Sequence, residues 1–265
     1  MEAFQITKII GSNREIISDI VASEVPLTIL INNKELATLL CSPLDLEDLT
    51  RGFLFTVGLV KGVEDIKSIL INKVYWQANV ILFNGNNFRD LVFKRIYTSG
   101  CGRGVIFYNA FDITQTKKIE SDLEVSAKKI KGLMKDLRKR SKIYFKTGGV
   151  HCAALADGNN IIVFREDIGR HNAIDKVIGY YLLGDGATSN KIILTSGRVS
   201  SEVILKIKKC QIPIIVSFSA PTDQAVKLAR DFKITLIGFA RGRRMSIYSQ
   251  AQRVNILLEE DSSSV

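Results

Sequence analysis

At 265 residues, with 46% hydrophobic residues, 24% charged residues and four prolines, the chain has room for one large domain or two modest ones, and its composition is globular, not disordered. No apolar run reaches the ~18–20 residues of a membrane span, and Met1-Glu2-Ala3-Phe4-Gln5 does not open a signal peptide; a cytoplasmic location is expected, with no membrane partner. The net charge of +10 suggests an anionic partner such as a nucleotide, a nucleic acid or an acidic protein.

In chain order, strands are expected at 6–10 and 16–21 around a turn at Gly11-Ser12-Asn13, then at Pro26 to Ile31 and Leu36 to Leu40 across Asn32-Asn33. Ser42-Pro43-Leu44-Asp45-Leu46-Glu47-Asp48 reads as a helix start with Ser42 as cap and Pro43 at the first helical position. That helix should run to about Val57 and stop at Gly58, and strands at Ile69 to Tyr75 and Asn79 to Phe83 should follow. These elements make a small α+β domain, 1–110.

Its end carries Thr98-Ser99-Gly100-Cys101-Gly102-Arg103-Gly104. Alternate glycines permit positive φ and expose backbone N–H groups, as a chain needs where it wraps an anion. A cysteine held there beside an arginine is placed for thiolate chemistry. The heptapeptide by itself fits that reading or a mobile glycine turn with an incidental thiol. The other three cysteines, Cys41, Cys152 and Cys210, form no C-x-x-C pair, which disfavours a zinc site and a disulfide framework. Buried free thiols are expected at Cys152 and Cys210, and Cys41 has no assigned chemistry.

From Ser121 the pattern changes. Ser121 with Glu124 fits a capping box ahead of a basic helix. Lys128 to Lys146 holds nine Lys/Arg against Asp136 alone, with apolar residues near helical spacing, and reads as a solvated helix face. Strands at about 142–146, 150–156 and 160–165 lead into strict alternation: helix 171–183, strand 191–195, helix 200–209, strand 212–218, helix 222–231, strand 234–239 and a last strand 245–249. That alternation predicts an α/β domain over 111–258 with a mixed, largely parallel sheet, followed by a disordered tail, 259–265.

Polar residues gather after the strands. Glu166-Asp167-Ile168-Gly169-Arg170-His171-Asn172 follows one, Ser196-Gly197-Arg198-Val199-Ser200 the next, then Ser219-Ala220-Pro221-Thr222 and Ala240-Arg241-Gly242-Arg243-Arg244. In open α/β sheets, ligands bind outside the carboxyl ends of the strands, where helix N-termini and arginines favour phosphate. Arg170, His171, Ser196, Gly197, Arg198, Ser219, Arg241, Arg243 and Arg244 are therefore candidates for a polyanionic, nucleotide-like ligand. His151 faces either this crevice or the core, and Glu166, Arg170 and His171 are candidates to orient the ligand or manage protons.

Gly148-Gly149-Val150-His151, the E-D-x-G-R-H-N-A-x-D-K run from Glu166 to Lys176, Ser196 to Glu202, Ser219 to Thr222 and Thr98 to Gly104 stand in order. With Val25-Pro26-Leu27 and Pro43-Leu44-Asp45 they resemble the formate dehydrogenase accessory family FdhD/NarQ, from about residue 24 to 249. The resemblance implies a sulfurtransferase that takes sulfur from a cysteine desulfurase as a persulfide on Cys101. It passes that sulfur to the molybdenum of bis-molybdopterin guanine dinucleotide, for formate dehydrogenase. It further implies a cytidine-deaminase-like second domain, a homodimer, guanine nucleotide binding, and cofactor contacts from Phe239, Ala240, Arg241, Gly242, Arg243 and Arg244. The cofactor is a bound client; no permanently bound metal is expected.

One position departs from the pattern. Many members carry C-G-x-C, and the second cysteine position here is Gly104. A non-catalytic cofactor-binding chaperone is the alternative that this glycine supports. A zinc deaminase lacks its motifs, since His151-Cys152-Ala153 has no glutamate and no C-x-x-C exists. Nucleic-acid binding lacks aromatic-basic interleaving and is not expected.

Overall fold

A computed structural model describes residues 1–83, 118–184 and 188–256. The Thr98–Gly104 loop with Cys101, the domain boundary at 110/111 and the tail lie outside the described residues.

The chain opens with a hairpin, β1 (Glu2–Ile10) and β2 (Asn13–Val21), turning at Gly11 with φ 59° as the Gly-Ser-Asn signal anticipates. A four-stranded sheet follows, from β3 (Val25–Ile31), β4 (Lys34–Cys41), β5 (Ile66–Asn72) and β6 (Gln77–Leu82), in the order β4-β3-β6-β5. Asn32 and Asn33 both take positive φ, 47° and 66°, as a two-residue hairpin turn requires. Period-two alternation in β3 buries Val25, Leu27, Ile29 and Ile31 against Leu46, Leu49, Phe53 and Leu54 of helix α1 (Leu46–Thr56).

Three local expectations need correction. Helix α1 begins at Leu46 and is preceded by Asp45 in the left-handed region, φ 50°, so Ser42 does not cap it. The polar groups of Ser42 serve the second domain instead: its N–H donates to Asp167 (3.0 Å) and its Oγ accepts from the N–H of Ile168 (3.1 Å). The strand placed over Ile69 to Tyr75 stops at Asn72, whose Oδ1 accepts from the N–H groups of Val74 and Tyr75 and folds the chain into a turn. The basic helix α2 (Ala127–Arg140) is capped by Ser126, whose Oγ accepts from the N–H of Lys129. Ser121 instead donates to the carbonyl of Ser189, and Glu124 accepts from Asn255.

A fourth correction bears on the site. Residues 142–146 form not a strand but helix α3 (Lys142–Thr147). Its first N–H groups, those of Ile143 and Tyr144, donate to the carboxylate of Glu166 at 3.1 and 3.0 Å. Lys-Ile-Tyr-Phe-Lys has strand composition, but a carboxylate from a distant strand supplies the acceptor that starts a helix.

The second domain is a six-stranded sheet of β8 (His151–Ala156), β9 (Ile161–Asp167), β10 (Ile192–Thr195), β11 (Ile214–Ser217), β12 (Thr235–Arg241) and β13 (Arg244–Ser249), ordered β13-β12-β11-β10-β8-β9. The parallel pairing sits at the centre, in β10, β11 and β12, while β8, β9 and β13 run antiparallel to their neighbours. Short β7 (Val125–Ser126) and β14 (Val254–Asn255) pair beside it. Alternate side chains go to two cores. Ala153, Leu155, Ile193 and Ile215 pack under α4 (Arg170–Tyr181), α5 (Ser201–Lys209) and α6 (Asp223–Asp231). Cys152, Ala154, Ala156, Leu194 and Val216 pack under Ile130, Leu133, Met134 and Leu137 of α2. Each buried leucine, isoleucine or valine among them contributes about 1.5–3 kcal/mol by leaving water.

The two domains meet where α1 crosses α4. Gly52 and Gly179 lie backbone against backbone: a Cβ at Gly52 would sit 2.9 Å from the nitrogen of Gly179, and one at Gly179 would sit 2.6 Å from the nitrogen of Gly52. Polar links flank the crossing. Arg51 donates to the carbonyl of Gly179 (3.1 Å), Thr56 to Asp175 (2.9 Å), and Lys206 to both Asp175 and Thr56. Deeper still, Lys176 pairs with Asp167 at 2.6 Å with neither side chain exposed, and Lys176 also donates to the carbonyl of Ser42.

Candidate functional site: a crevice at the strand ends

Strands β9 to β12 all deliver their carboxyl ends to one edge, where the four predicted loops gather. Short hydrogen bonds lock the loops to one another. Ser217 Oγ donates to the carbonyl of Gly197 (2.6 Å) and accepts from the N–H of Ser219 (2.9 Å). The N–H of Phe239 donates to the carbonyl of Ser219 (3.1 Å), and Val199 forms a bridge with Pro221. Gly197 lies hard against Arg170, since a Cβ there would come within 2.7 Å of the Arg170 Cβ. The edge thus brings Arg170, Ser196, Gly197, Ser219 and Phe239 into one continuous surface.

Phe239 takes φ 52° at a break in the β12–β13 register, a conformation that bulky side chains rarely adopt. The bulge brings its ring beneath Arg244, whose guanidinium carbon lies 5.5 Å from the ring centroid. Arg241, Gly242, Arg243 and Arg244 form the exposed tip of this hairpin, and Arg198 is exposed on the neighbouring loop. The side chain of Ala240, by contrast, is buried in the α2 core.

At two of the three helices that start at this edge, the residue before the first turn supplies no side-chain cap. Gly169 precedes α4, and Ser200 precedes α5 without a capping hydrogen bond. Only α6 has a cap, from Thr222 to the N–H of Ala225. Uncapped N-termini beside arginines are suited to phosphate oxygens.

Both histidines of the chain belong to this edge. Nδ1 of His151 lies 3.2 Å from Ser196 Oγ, and that same oxygen accepts from the N–H of Cys152 at 3.0 Å. Nε2 of His171 lies 3.3 Å from Glu202 and 3.4 Å from Ser200 Oγ. Burial, reinforced by Lys206, Arg170 and His151, pulls His171 down to about 3; burial and Arg170 also lower His151. Neutral imidazoles therefore stand in a cationic crevice, and the His171–Glu202 contact is a hydrogen bond and not an ion pair. Glu202, mostly buried and raised by its desolvation, closes the Ser196–Glu202 motif, but sequence reasoning gave it no role at the site.

The acidic run divides differently from expectation. The carboxylate of Glu166 is engaged at the start of α3, where it accepts from two N–H groups. Asp167 and Asn172 tie α4 to Leu40 and Ser42, and Asp175 and Lys176 hold the domain seam. Arg170 and His171 are the members of the run left at the crevice. The described thiols are inert. Burial pushes Cys41 up to about 12, with Asp167 adding to it, and burial likewise raises Cys152 and Cys210. Among the described residues no group of three or more His, Cys, Asp or Glu is arranged to hold a metal, and no helix is long and apolar enough to cross a membrane.

A mixed α/β protein whose strand-end edge carries exposed arginines is the class these features define. Comparison with known proteins places it more narrowly. A model of the FdhD/NarQ family matches residues 22–255, and the chain belongs to that family. The sulfur carrier protein FdhD of Bacillus pumilus (strain SAFR-032) is 40% identical over 238 residues, covering 89% of this chain and 91% of that protein. That of Geobacillus kaustophilus (strain HTA426) is 41% identical over 239 residues, covering 90% and 91%. The crystal structure of a putative formate dehydrogenase accessory protein from Desulfotalea psychrophila superposes with a TM-score of 0.79 at 26% identity, covering 96% of this chain and 99% of that one.

Proposed function

We propose that this chain, like the relatives named sulfur carrier, carries sulfur for the maturation of formate dehydrogenase, as a persulfide on Cys101. The Cys101 thiolate attacks the outer sulfur of a desulfurase persulfide. A new S–S bond forms to Cys101, the donor's S–S bond breaks, and the donor cysteine leaves as thiolate with no net redox change. The S–S bond at Cys101 then breaks, its electron pair leaving with Cys101 as thiolate, and the outer sulfur becomes a sulfido ligand by taking two electrons from the reduced metal of bis-molybdopterin guanine dinucleotide, the substrate, docked along the strand-end edge.

The observation that carries this reading is one of elimination. Of the four cysteines, Cys41, Cys152 and Cys210 are buried, with thiols held well above their usual range, which leaves Cys101 to supply a thiolate. The edge supports the second half of the reading. Phosphates fit the uncapped starts of α4 and α5 and the guanidinium groups of Arg198, Arg241, Arg243 and Arg244, with Phe239 offering a ring face. The dimer and a cysteine desulfurase as sulfur donor come with the family reading.

The test is to incubate the protein with a cysteine desulfurase and sulfur-labelled cysteine and map the label. Label on Cys101 that disappears in Cys101→Ala is expected; label persisting in that variant, or none on the wild type, refutes the carrier role. Gly104 favours one further reading, a cofactor chaperone that moves no sulfur. Under it, cells carrying Cys101→Ala would retain full formate dehydrogenase activity.

A further inference from the structure

The hairpin of β1 and β2 has no part in the strand-end crevice, and it lies outside residues 22–255, where the family model matches. Its strands pair with each other and with no other described strand. The ribbon is apolar on both faces and covered on neither. Phe4, Ile10 and Val21 are exposed on one face, around the half-buried Ile6 and Ile17. Ile9, Ile16 and Ile20 are exposed on the other, Ile9 and Ile16 at 72% and 73%. A two-stranded ribbon is marginal in water, and contiguous bare apolar surface marks an interaction site.

The two edges of the ribbon differ. β2 runs beside α3, and Ala22 at its end packs on Gly149, where a Cβ would lie 3.1 Å from that of Ala22. That leaves β1 as the outer edge. A two-residue turn closes on a hydrogen-bonded pair, here Ile10 with Asn13. Even-numbered residues of β1 therefore bond to β2, and odd-numbered ones turn their N–H and C=O groups outward. Edges are kept from pairing by charges, prolines or bulges. The outward positions Ala3, Gln5, Thr7 and Ile9 carry no charge and no proline, and the register has no bulge.

This edge is complementary to itself. Two β1 strands placed antiparallel about a two-fold axis at Gln5 set Glu2 of each copy opposite Lys8 of the other, and Phe4 opposite Ile6. These are non-hydrogen-bonded pairs on one face, where side chains approach most closely. Moving the axis to Phe4 or Ile6 would set Glu2 against Ile6 or Ile10 instead. Neither Glu2 nor Lys8 forms an ion pair with another described residue. β2 lacks this property: Arg14 falls on the opposite face from Glu15 and Asp19, so two β2 strands paired in this way never oppose unlike charges.

We propose that β1 of one copy pairs antiparallel with β1 of a second copy of this chain, about an axis at Gln5, joining the two hairpins into a four-stranded sheet. Phe4 and Ile6 of both copies then share one cluster, and the open edge of each ribbon is closed by the other.

Cysteine substitution in the full chain reads the axis directly. In a Cys101→Ala background the remaining thiols are buried. The two copies of residue 5 would lie about 5.5 Å apart at Cα, within reach of a disulfide, so Gln5→Cys should cross-link two chains under mild oxidation. Thr7→Cys, on the same face but about 14 Å from its own copy, should run as a single chain on a non-reducing gel. Adding Glu2→Lys to Gln5→Cys places like charges opposite each other at both ends and should slow cross-linking at least about fivefold. Equal cross-linking through Thr7→Cys, or a Gln5→Cys cross-link untouched by Glu2→Lys, overturns the proposal. So does a Gln5→Cys chain that stays single, whether its thiol reacts freely with a maleimide, as on a bare hairpin, or is shielded only when phospholipid vesicles or a cysteine desulfurase are added.

Discussion

The Gly52–Gly179 crossing supports a sharp prediction. Gly179→Ala would drive a methyl group to 2.6 Å from the nitrogen of Gly52 and 2.8 Å from the carbonyl carbon of Asp48. These are backbone atoms, so no side chain can swing aside. Restoring ordinary contact requires α1 and α4 to separate by about 1 Å. That shift lengthens the bond from Arg51 to the Gly179 carbonyl, now 3.1 Å, and the 2.9 Å bond from Thr56 to Asp175, both buried. Overpacking costs about 1–3 kcal/mol and each of the two loosened buried hydrogen bonds about 1 kcal/mol more, giving a loss of about 3–5 kcal/mol. In a chain of this size the midpoint of thermal unfolding should fall by roughly 5–15 °C, read by calorimetry. Gly132→Ala is the control, because a Cβ there meets nothing within 4 Å and the site is an exposed position in α2. It should raise stability by up to about 1 kcal/mol through helix propensity. A Gly179→Ala midpoint within about 2 °C of wild type would refute the claim that this seam is closed by backbone contact.

Other outcomes follow from the same structure. Lys176→Met should destabilise by about 3–5 kcal/mol in denaturant titration by stranding the fully buried Asp167; a loss below about 1 kcal/mol would show that Asp167 does not depend on it. A thiol reagent applied to the native protein at about pH 8 should modify Cys101 alone, the buried thiols reacting only after unfolding; fast labelling of Cys41, Cys152 or Cys210 counts against the elimination argument. His171 is neutral when folded and takes up a proton on unfolding below its ordinary pKa. Its contribution to stability is therefore complete above about 6.5 and is lost as pH falls towards about 3. The stability difference between wild type and His171→Gln should shrink across that window, and a difference flat in pH would refute the assignment.

Much of the architecture was legible in the sequence because it is written locally. Alternating βαβ signals located every helix and strand of the second domain's centre, and the loops following those strands proved to be one edge. What was illegible had distant partners. Ser42-Pro43 has all the local features of a helix start, yet Ser42 is bonded to Asp167, 125 residues away. Residues 142–146 read as a strand because the acceptor that makes them a helix, Glu166, lies on another element. The run from Glu166 to Lys176 looked like one functional unit; its spacing interleaves two positions on α4, crevice residues in the first turn and seam residues in the second. Glu202 was legible as the end of the Ser196–Glu202 motif but not as a partner of His171, because a glutamate in a helix carries no such signal until a histidine is seen against it.

The seam also bears on delivery. Two helices in backbone contact, pinned by Lys176 and Lys206 on either side, leave no slack for one domain to rock against the other. The end of β6 and the strand-end crevice are thus fixed points in one rigid frame, as the bearings of a machine are. On the carrier reading proposed above, Cys101, which lies in sequence between β6 and the second sheet, has to reach the crevice without any swing of the two sheets.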